Sequence, residues 1–255
     1  MKIVRYGNDR DERYGVLEGD RIEPMEGELD ALKRTSRAKS IPLDTVRLLA
    51  PVKPSKIVAA GLNYSELVRE LKIEPPKEPL LFIKPSTAVI GPNDAIVYPW
   101  QTQELIYEGE LAIVIARRAW RVTPSEARRY VLGYTCMNDV TALDLQNRDR
   151  EFTRSKSFDT FAPLGPVIET AIENPDALGL TTKHNGKLRQ NTNTSNLIFK
   201  SDFLVSFISQ IMTLLPGDVI STGTPPGVGQ IKPGDVIEVE IEAIGVLTNT
   251  VAAME

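Results

Sequence analysis

The segment YEGELAIVIA, residues 107–116, predicts the strand around which the rest of this chain is arranged. Its apolar part, residues 111–116, is short, rich in β-branched side chains and followed by two arginines, which is typical of a buried strand. Residues i and i+2 of a strand share a face, so the carboxylates of Glu108 and Glu110 should lie side by side. Gly109 should face the other way and let another segment approach closely.

A third acid, Asp139, follows a second apolar stretch, residues 131–137. Three carboxylates that converge repel one another unless a cation joins them. Oxygen ligands suit a hard divalent ion such as Mg2+ or Mn2+. The alternative is an exposed strand edge with ordinary surface acids. Local sequence leaves both interpretations open, because it does not show whether Asp139 folds back onto Glu108 and Glu110.

The composition indicates a soluble globular protein. The 255 residues are 42% hydrophobic and 25% charged, with a net charge of −4 and a pI near 5.3. This balance offers no basic field for nucleic acid. No apolar run reaches the roughly 20 residues of a membrane helix. Residues 1–15 carry charges where a signal peptide has its apolar core, so we expect a cytoplasmic location without a membrane partner.

Cysteine and histidine each occur once in this sequence, and this limits the possible catalytic chemistry. Cys136 is the one cysteine, which excludes an internal disulfide framework and a cysteine-based zinc site, and its apolar surroundings predict a buried, inert thiol. His184 is the one histidine and adjoins an Asn-Gly turn, so a histidine-based triad is not expected. Acid–base chemistry must therefore rest on Glu, Asp, Lys, Tyr or metal-bound water.

Short strands and frequent Pro-Gly turns predict a mostly β fold. The proline cluster that begins at Pro51 suggests a boundary between a small β-rich N-terminal domain, residues 1–50, and a larger domain, residues 51–255. Helices are predicted at residues 124–131, after the N-cap Thr123, and 203–215.

The polar segment of residues 147–154 is interpreted as a mobile loop, because it is too charged for a core. Two neighbouring features could bind an anion. Lys156 follows this segment and could neutralise a substrate carboxylate or enolate, although an ordinary surface lysine fits the local sequence as well. Residues 221–229 form a Gly-Pro-Thr loop that could present backbone N–H groups, or be a simple tight turn.

Together these features occur in one characteristic order. The motifs are GLNY at 61–64, YEGEL at 107–111, NDVTALDLQ at 138–146, KSFD at 156–159 and STGTP at 221–225. This order resembles the fumarylacetoacetate hydrolase superfamily over about residues 51–251, and in particular its 2-hydroxyhepta-2,4-diene-1,7-dioate isomerase-like branch.

The resemblance implies a fold, a cofactor and a site. The fold is α+β and predominantly β, a mixed β-sandwich roll with a small β-rich N-terminal segment, and the protein is a homodimer with a Mg2+ site that Mn2+ or Ca2+ could also fill. The implied metal ligands are Glu108, Glu110 and Asp139. The implied catalytic residues are Lys156 and Glu70, and the implied substrate-binding residues are Tyr64, Gln146, Gly223 and Thr224.

Two positions depart from the family pattern. Leu67 stands where the family commonly has the histidine of a His–Glu pair that activates water, whereas Glu70 is kept. Leu143 stands where the family usually has an arginine, whose guanidinium would clamp a substrate carboxylate. Arg148 or Arg150 in the nearby segment could replace it.

The implied function is a divalent-metal enzyme acting on a small 2-oxo (di)acid or its enol. Without the histidine, isomerisation, tautomerisation or decarboxylation through a metal-bound enolate is favoured over hydrolysis by activated water. The first alternative is a C–C bond hydrolase of the acylpyruvate or fumarylacetoacetate type. The second is a catalytically silent homologue that binds a metal and a dicarboxylate.

Overall fold

The computed structural model describes residues 1–8, 11–29, 31–35 and 39–254. Strands dominate these residues, which confirms the predicted α+β, predominantly β class. In the described residues the strands are β1 (Lys2–Asn8), β2 (Asp11–Glu18), β3 (Arg21–Glu26), β4 (Lys33–Arg34), β5 (Ile41–Pro42), β6 (Leu48–Leu49), β7 (Lys56–Gly61), β8 (Leu80–Pro85), β9 (Val89–Ile90), β10 (Ala95–Tyr98), β11 (Leu105–Tyr107), β12 (Gly109–Ile115), β13 (Val131–Asn138), β14 (Thr141–Ala142), β15 (Ala162–Glu169), β16 (Gly179–His184), β17 (Lys187–Asn193), β18 (Val219–Ser221), β19 (Gly229–Ile231), β20 (Val236–Ile241) and β21 (Gly245–Ala253). The α-helices are α1 (Ser65–Glu70), α2 (Leu143–Asp149), α3 (Thr153–Lys156) and α4 (Ser201–Ile211).

These strands form three sheets over the described residues. The largest has thirteen strands in the order β4-β3-β2-β1-β15-β13-β12-β18-β7-β8, with β5, β6 and β9 joined at its side. A second sheet has the order β10-β21-β20-β16-β17, and a third the order β14-β11-β19. Most neighbours are antiparallel, but the pairs β7–β18, β9–β15 and β10–β21 are parallel, so the architecture is mixed.

β12 lies in the interior of the largest sheet. All its residues are buried, and it pairs antiparallel with β13 on one side and β18 on the other. Leu111 and Ile113 belong to the same hydrophobic core as Val239 of the second sheet. Ala112 and Val114, on the opposite face, pack in a separate core cluster. A strand buried on both faces has a continuous apolar sequence, which is why residues 111–115 predict it clearly.

The N-terminal strands continue the largest sheet. β1 pairs antiparallel with β15 through Lys2↔Glu169 and Ile3↔Ile168. Val4, on β1, is fully buried in the main hydrophobic core. The division into domains at residues 1–50 and 51–255 stays a prediction.

Two local predictions were wrong. Residues 124–131 form no α-helix: a 3-10 turn at Ala127–Tyr130 leads directly into β13, because Val131 and the residues after it pair with β12. Residues 147–154 are largely helical rather than a loop, since they lie in α2 and α3. The exposed Arg154 guanidinium forms an ion pair with Asp149 there.

The helix predicted at residues 203–215 is present as α4, shifted toward the N-terminus. Its chain becomes extended at Met212, and Leu214 then forms an antiparallel bridge with Ala119. Within the described part of the chain, no helix is both long and apolar enough to cross a membrane.

Candidate active site

The register of β12 against β13 assembles three acids. Gly109 pairs with Asn138, and the Asn138 side-chain oxygen accepts a hydrogen bond from the Glu108 N–H at 2.9 Å. The Asp139 N–H donates to the Glu108 carbonyl at 2.8 Å. Glu108, Glu110 and Asp139 thereby offer carboxylate oxygens that all lie within 4.8 Å of one another. The convergence expected from the sequence is present, and Asp139 does fold back onto the pair.

Gly109 explains how the two glutamates reach the same side. It faces away from them, as predicted, toward the second sheet. Its N–H donates to the Gln190 side-chain oxygen at 3.0 Å, and the Thr182 hydroxyl lies so close that a Cβ at this position would approach it to 2.1 Å. The second sheet therefore packs against the back of the acid cluster.

Two buried lysines contact the acids. Lys156, on α3, donates from Nζ to Glu108 at 2.6 Å and to Asp139 at 2.7 Å. Lys84, on β8, is fully buried and donates to the other oxygen of Asp139 and to the Val140 carbonyl. Burial lowers the pKa of Lys84. Burial alone would also lower the pKa of Lys156, but the neighbouring carboxylates outweigh it and raise that pKa above its usual range.

Glu110 is the acid that neither lysine contacts. Its carboxylate accepts hydrogen bonds from the Ser221 hydroxyl and, at 2.8 Å, from the Gly223 N–H. Burial, together with the nearby carboxylates of Asp139 and Glu108, raises the pKa of Glu110 to about 8. Two lysines face three carboxyl groups, so the charges balance while Glu110 holds a proton, and one negative charge is uncompensated once Glu110 ionises. An all-oxygen donor set fits a hard divalent cation, which would favour the ionised form of Glu110.

A cavity of about 370 Å³ opens onto this cluster. Glu108, Glu110, Asp139 and Lys156 form a compact group in its lining. Much of the remaining lining is apolar, including Leu67, Leu71, Leu80, Phe82, Leu143 and Phe152. Among the described residues, no titratable side chain beyond the three acids and Lys156 lines this cavity. The two leucines that depart from the family pattern, Leu67 and Leu143, therefore both face the space where a substrate would bind.

Two neutral polar side chains complete the lining. Gln146 places its buried Oε1 there without a hydrogen-bond partner in the described structure, which leaves an acceptor available for a ligand. The Thr224 hydroxyl is already engaged: it donates to the Gly109 carbonyl at 3.0 Å and accepts from Gln190 at 2.9 Å.

Three other predicted site residues lie outside the lining. Glu70, the last residue of α1, is exposed and does not line the cavity, although Leu67 and Leu71 do. Tyr64 is fully buried and forms a bridge with Leu197, and its hydroxyl has no hydrogen-bond partner in the described structure. Gly223 contacts Glu110 through its N–H and not the cavity.

Lys84 and Ser221 contact the acids but were not predicted as site residues from the sequence. Each could have been noticed, because Lys84 interrupts the apolar strand LLFIKP and Ser221 begins the loop STGTP. A charged residue within an apolar strand is a signal for a buried, paired group. Cys136 is buried and unpaired, and burial raises the pKa of its thiol, in agreement with the predicted inert cysteine.

Two protein-family models match this chain. The model described as "Fumarylacetoacetate (FAA) hydrolase C-terminal" covers residues 56–252, and the model "Rv2993c-like, N-terminal" covers residues 1–51. The mitochondrial oxaloacetate tautomerase FAHD2B of Bos taurus is 39% identical, over 90% of this chain and 78% of the bovine protein.

Solved structures of related enzymes also match this chain. A 2-hydroxyhepta-2,4-diene-1,7-dioate isomerase from Mycobacterium marinum superposes with a TM-score of 0.91 and 40% identity, covering 99% of this chain and 98% of that one. A maleylpyruvate hydrolase from Sphingobium sp. SYK-6, solved with manganese(II) and pyruvate, gives a TM-score of 0.84 at 30% identity, with all of both chains covered. These matches confirm the resemblance stated from the sequence, including the isomerase-like branch.

Proposed function

Because this chain belongs to the fumarylacetoacetate hydrolase family, we propose that it is an enzyme that interconverts the keto and enol forms of a small 2-oxo acid, with a divalent cation as cofactor. The observation that carries the proposal is the composition of the cavity: three carboxylates and one lysine, with Leu67 rather than a water-activating histidine on the wall. Tautomerisation requires a proton to move but no water to attack. The similarity to a tautomerase and an isomerase supports the same reaction class.

Glu108, Glu110 and Asp139 are the residues that would hold the cation, with Mg2+ as the proposed ion and Mn2+ or Ca2+ as alternatives. When bound, a divalent cation supplies a Lewis acid that polarises the 2-oxo group. Ser221 and Gly223 orient the Glu110 carboxylate from behind, and Lys84 orients that of Asp139.

Lys156 is proposed to move the proton. In the enol-to-keto direction its ammonium would donate a proton to C3, and the amine left behind would take up the proton released by the enol hydroxyl. A divalent cation held by Glu108 and Asp139 would offset the two carboxylates that raise the pKa of this lysine.

Lys156 holds a proton at Nζ beside two of the acids and lies 4.9 Å from the centroid of the Phe82 ring, where little water reaches it. Its positive charge also favours the enolate over the neutral keto form. We assign the proton to Lys156 rather than to Glu70, because Glu70 lies outside the cavity lining.

Gln146 is proposed to orient the enol. Its unpaired Oε1 can accept a hydrogen bond from the enol hydroxyl, which the keto form lacks. Thr224 keeps the wall beside Glu110 in place, since its hydroxyl joins the Gly109 carbonyl to Gln190. The apolar wall excludes water and so protects the enol from side reactions.

The test is proton exchange followed by NMR. Pyruvate, oxaloacetate and phenylpyruvate are incubated with protein and Mg2+ in deuterated water, and the protein-free rate is subtracted. We expect deuterium uptake beside the 2-oxo group without fragmentation, and its loss with EDTA. Lys156→Met should slow the exchange at least about a hundredfold, whereas the control Lys183→Met, at an exposed ion pair, should not.

Other products would contradict this assignment. With an acylpyruvate added as a fourth substrate, fragment acids would indicate a C–C hydrolase. Loss of carbon dioxide from oxaloacetate would indicate a decarboxylase. No metal-dependent turnover of any acid would indicate a catalytically silent homologue. The homodimer and the cytoplasmic location implied by the sequence stay predictions, which size measurement in solution and cell fractionation would test.

A further inference from the structure

On the basis of the tautomerase function proposed above, we propose that the cavity selects 2-oxo acids with one carboxylate and an uncharged apolar group on C3, in preference to 2-oxo dicarboxylates. Leu143 and Leu67 are the specificity-determining residues. Phenylpyruvate and oxaloacetate form a matched pair of probes, because they share the 2-oxo acid and differ in whether C3 carries a phenyl ring or a second carboxylate.

The charged residues of the lining form one compact cluster. Lys156 is the lysine that lines the cavity, and its Nζ lies between Glu108 and Asp139. Gln146 adds an unpaired acceptor that suits a hydroxyl. The shared 2-oxo acid moiety of either probe would lie against these polar groups, so it does not distinguish between the probes.

Apolar side chains form most of the rest of the lining. Leu67 on α1 and Leu143 on α2 face the same space, and Phe82 and Phe152 form an edge-on aromatic pair there with ring centroids 5.3 Å apart. A phenyl ring on C3 can pack against these side chains and favour edge-to-face contact. A carboxylate in the same position would lose its hydration, which is costly. The Lys156 ammonium lies 4.9 Å from the Phe82 ring centroid, but it is already paired with Glu108 and Asp139 and so would compensate little of this cost.

The opening of the cavity to solvent does not remove the desolvation cost for the second carboxylate of a short dicarboxylate. Leu71 and Leu80, which are 51% and 40% exposed, mark the opening of the cavity to solvent. The second carboxylate of oxaloacetate is attached directly to C3, one bond from the reacting carbon. It would therefore lie inside the cavity, close to C3, and not at the mouth.

The rival interpretation is that a nearby arginine binds the second carboxylate. Arg148 is largely exposed and contacts Asp149. Arg150 lines a neighbouring cleft of about 560 Å³ that shares Leu80, Phe82 and Phe152 with the cavity. Neither arginine lines the cavity itself. The inference therefore predicts that Arg150→Ala leaves the selectivity unchanged.

The experiment is calorimetric titration of the Mg2+-loaded protein with phenylpyruvate and oxaloacetate, alongside the exchange assay. We expect phenylpyruvate to bind at least about tenfold more tightly than oxaloacetate. Leu143→Arg should reverse that ratio by supplying a guanidinium for the second carboxylate. Arg150→Ala is the matched control, and circular dichroism checks that each variant is folded.

The outcomes separate this inference from the proposed function. Oxaloacetate binding as tightly as phenylpyruvate to the unaltered protein overturns the inference, even where Leu143→Arg does not fold. Selective loss of oxaloacetate binding in Arg150→Ala overturns it in favour of the arginine. Binding with the expected ratio but without proton exchange supports the inference on selectivity and rejects the tautomerase.

Discussion

Lys84 is the site residue whose partner the local sequence could not identify. A lysine near the end of an apolar strand can be buried and paired, or it can lie on the solvent-exposed face of an edge strand. β8 is indeed at the edge of the largest sheet. The structure turns Lys84 inward, onto Asp139. Glu108 and Glu110 could be paired from their spacing alone, whereas the contacts of Lys84 with Asp139 join residues 55 positions apart. Local periodicity contains no information on such a contact.

Lys84→Met tests the importance of this buried pair for stability. The substitution keeps much of the side-chain volume but leaves one Asp139 oxygen without its ammonium partner. Breaking a buried ion pair at one side costs about 3–5 kcal/mol, so the free energy of unfolding in denaturant should fall by that amount. The control Lys53→Met removes an ammonium that is 65% exposed and pairs with Glu12, and should change the free energy by at most about 1 kcal/mol. Equal effects of the two substitutions would contradict the assigned role of Lys84.

At the scale of elements, strands were easier to predict than helices. β12 was easy to predict because a strand buried on both faces has a continuous apolar, β-branched sequence. The capping signal of Thr123 and Pro124 wrongly indicated an α-helix. The chain from Val131 onward is extended instead, because it pairs with β12. α2 was missed because its sequence is mostly polar. It is held by a single fully buried side chain, Leu145, and by packing against α3.

The close approach of β16 to β12 gives a prediction at this scale. Gly109→Ala would bring its Cβ to 2.1 Å from the Thr182 hydroxyl, so overpacking should lower the free energy of unfolding by about 1–3 kcal/mol. Adding Thr182→Ala should recover at least half of that loss, because the hydroxyl has no hydrogen-bond partner in the described structure. Gly179→Ala is the control: its Cβ would meet its nearest neighbour at 3.6 Å, an ordinary contact. The interpretation fails if Gly109→Ala and Gly179→Ala behave alike.

At the scale of the whole molecule, the acid cluster lies where the parts of the fold meet. Strands β12 and β13 carry the acids in the interior of the largest sheet, and the second sheet packs behind Gly109. The ordered motifs predicted the family and the predominantly β class, but not the order of the strands, which depends on pairings between distant segments. The N-terminal strands illustrate this, since residues 1–8 extend the same sheet through β15 near residue 168.

A cation bound by this cluster should stabilise the whole fold. The three acids exist as a site only when β12 and β13 are paired, so a divalent ion binds the folded chain far better than the unfolded one. At an Mn2+ concentration about a hundred times its dissociation constant, the free energy of unfolding should rise by about 2.7 kcal/mol. Glu110→Gln removes one ligand and should abolish most of this gain, whereas the exposed control Glu240→Gln should keep it. Stability that does not respond to Mn2+, Mg2+ or Ca2+ at millimolar concentration would show that Lys84 and Lys156 alone compensate the acids, and the cofactor proposal would have to be withdrawn.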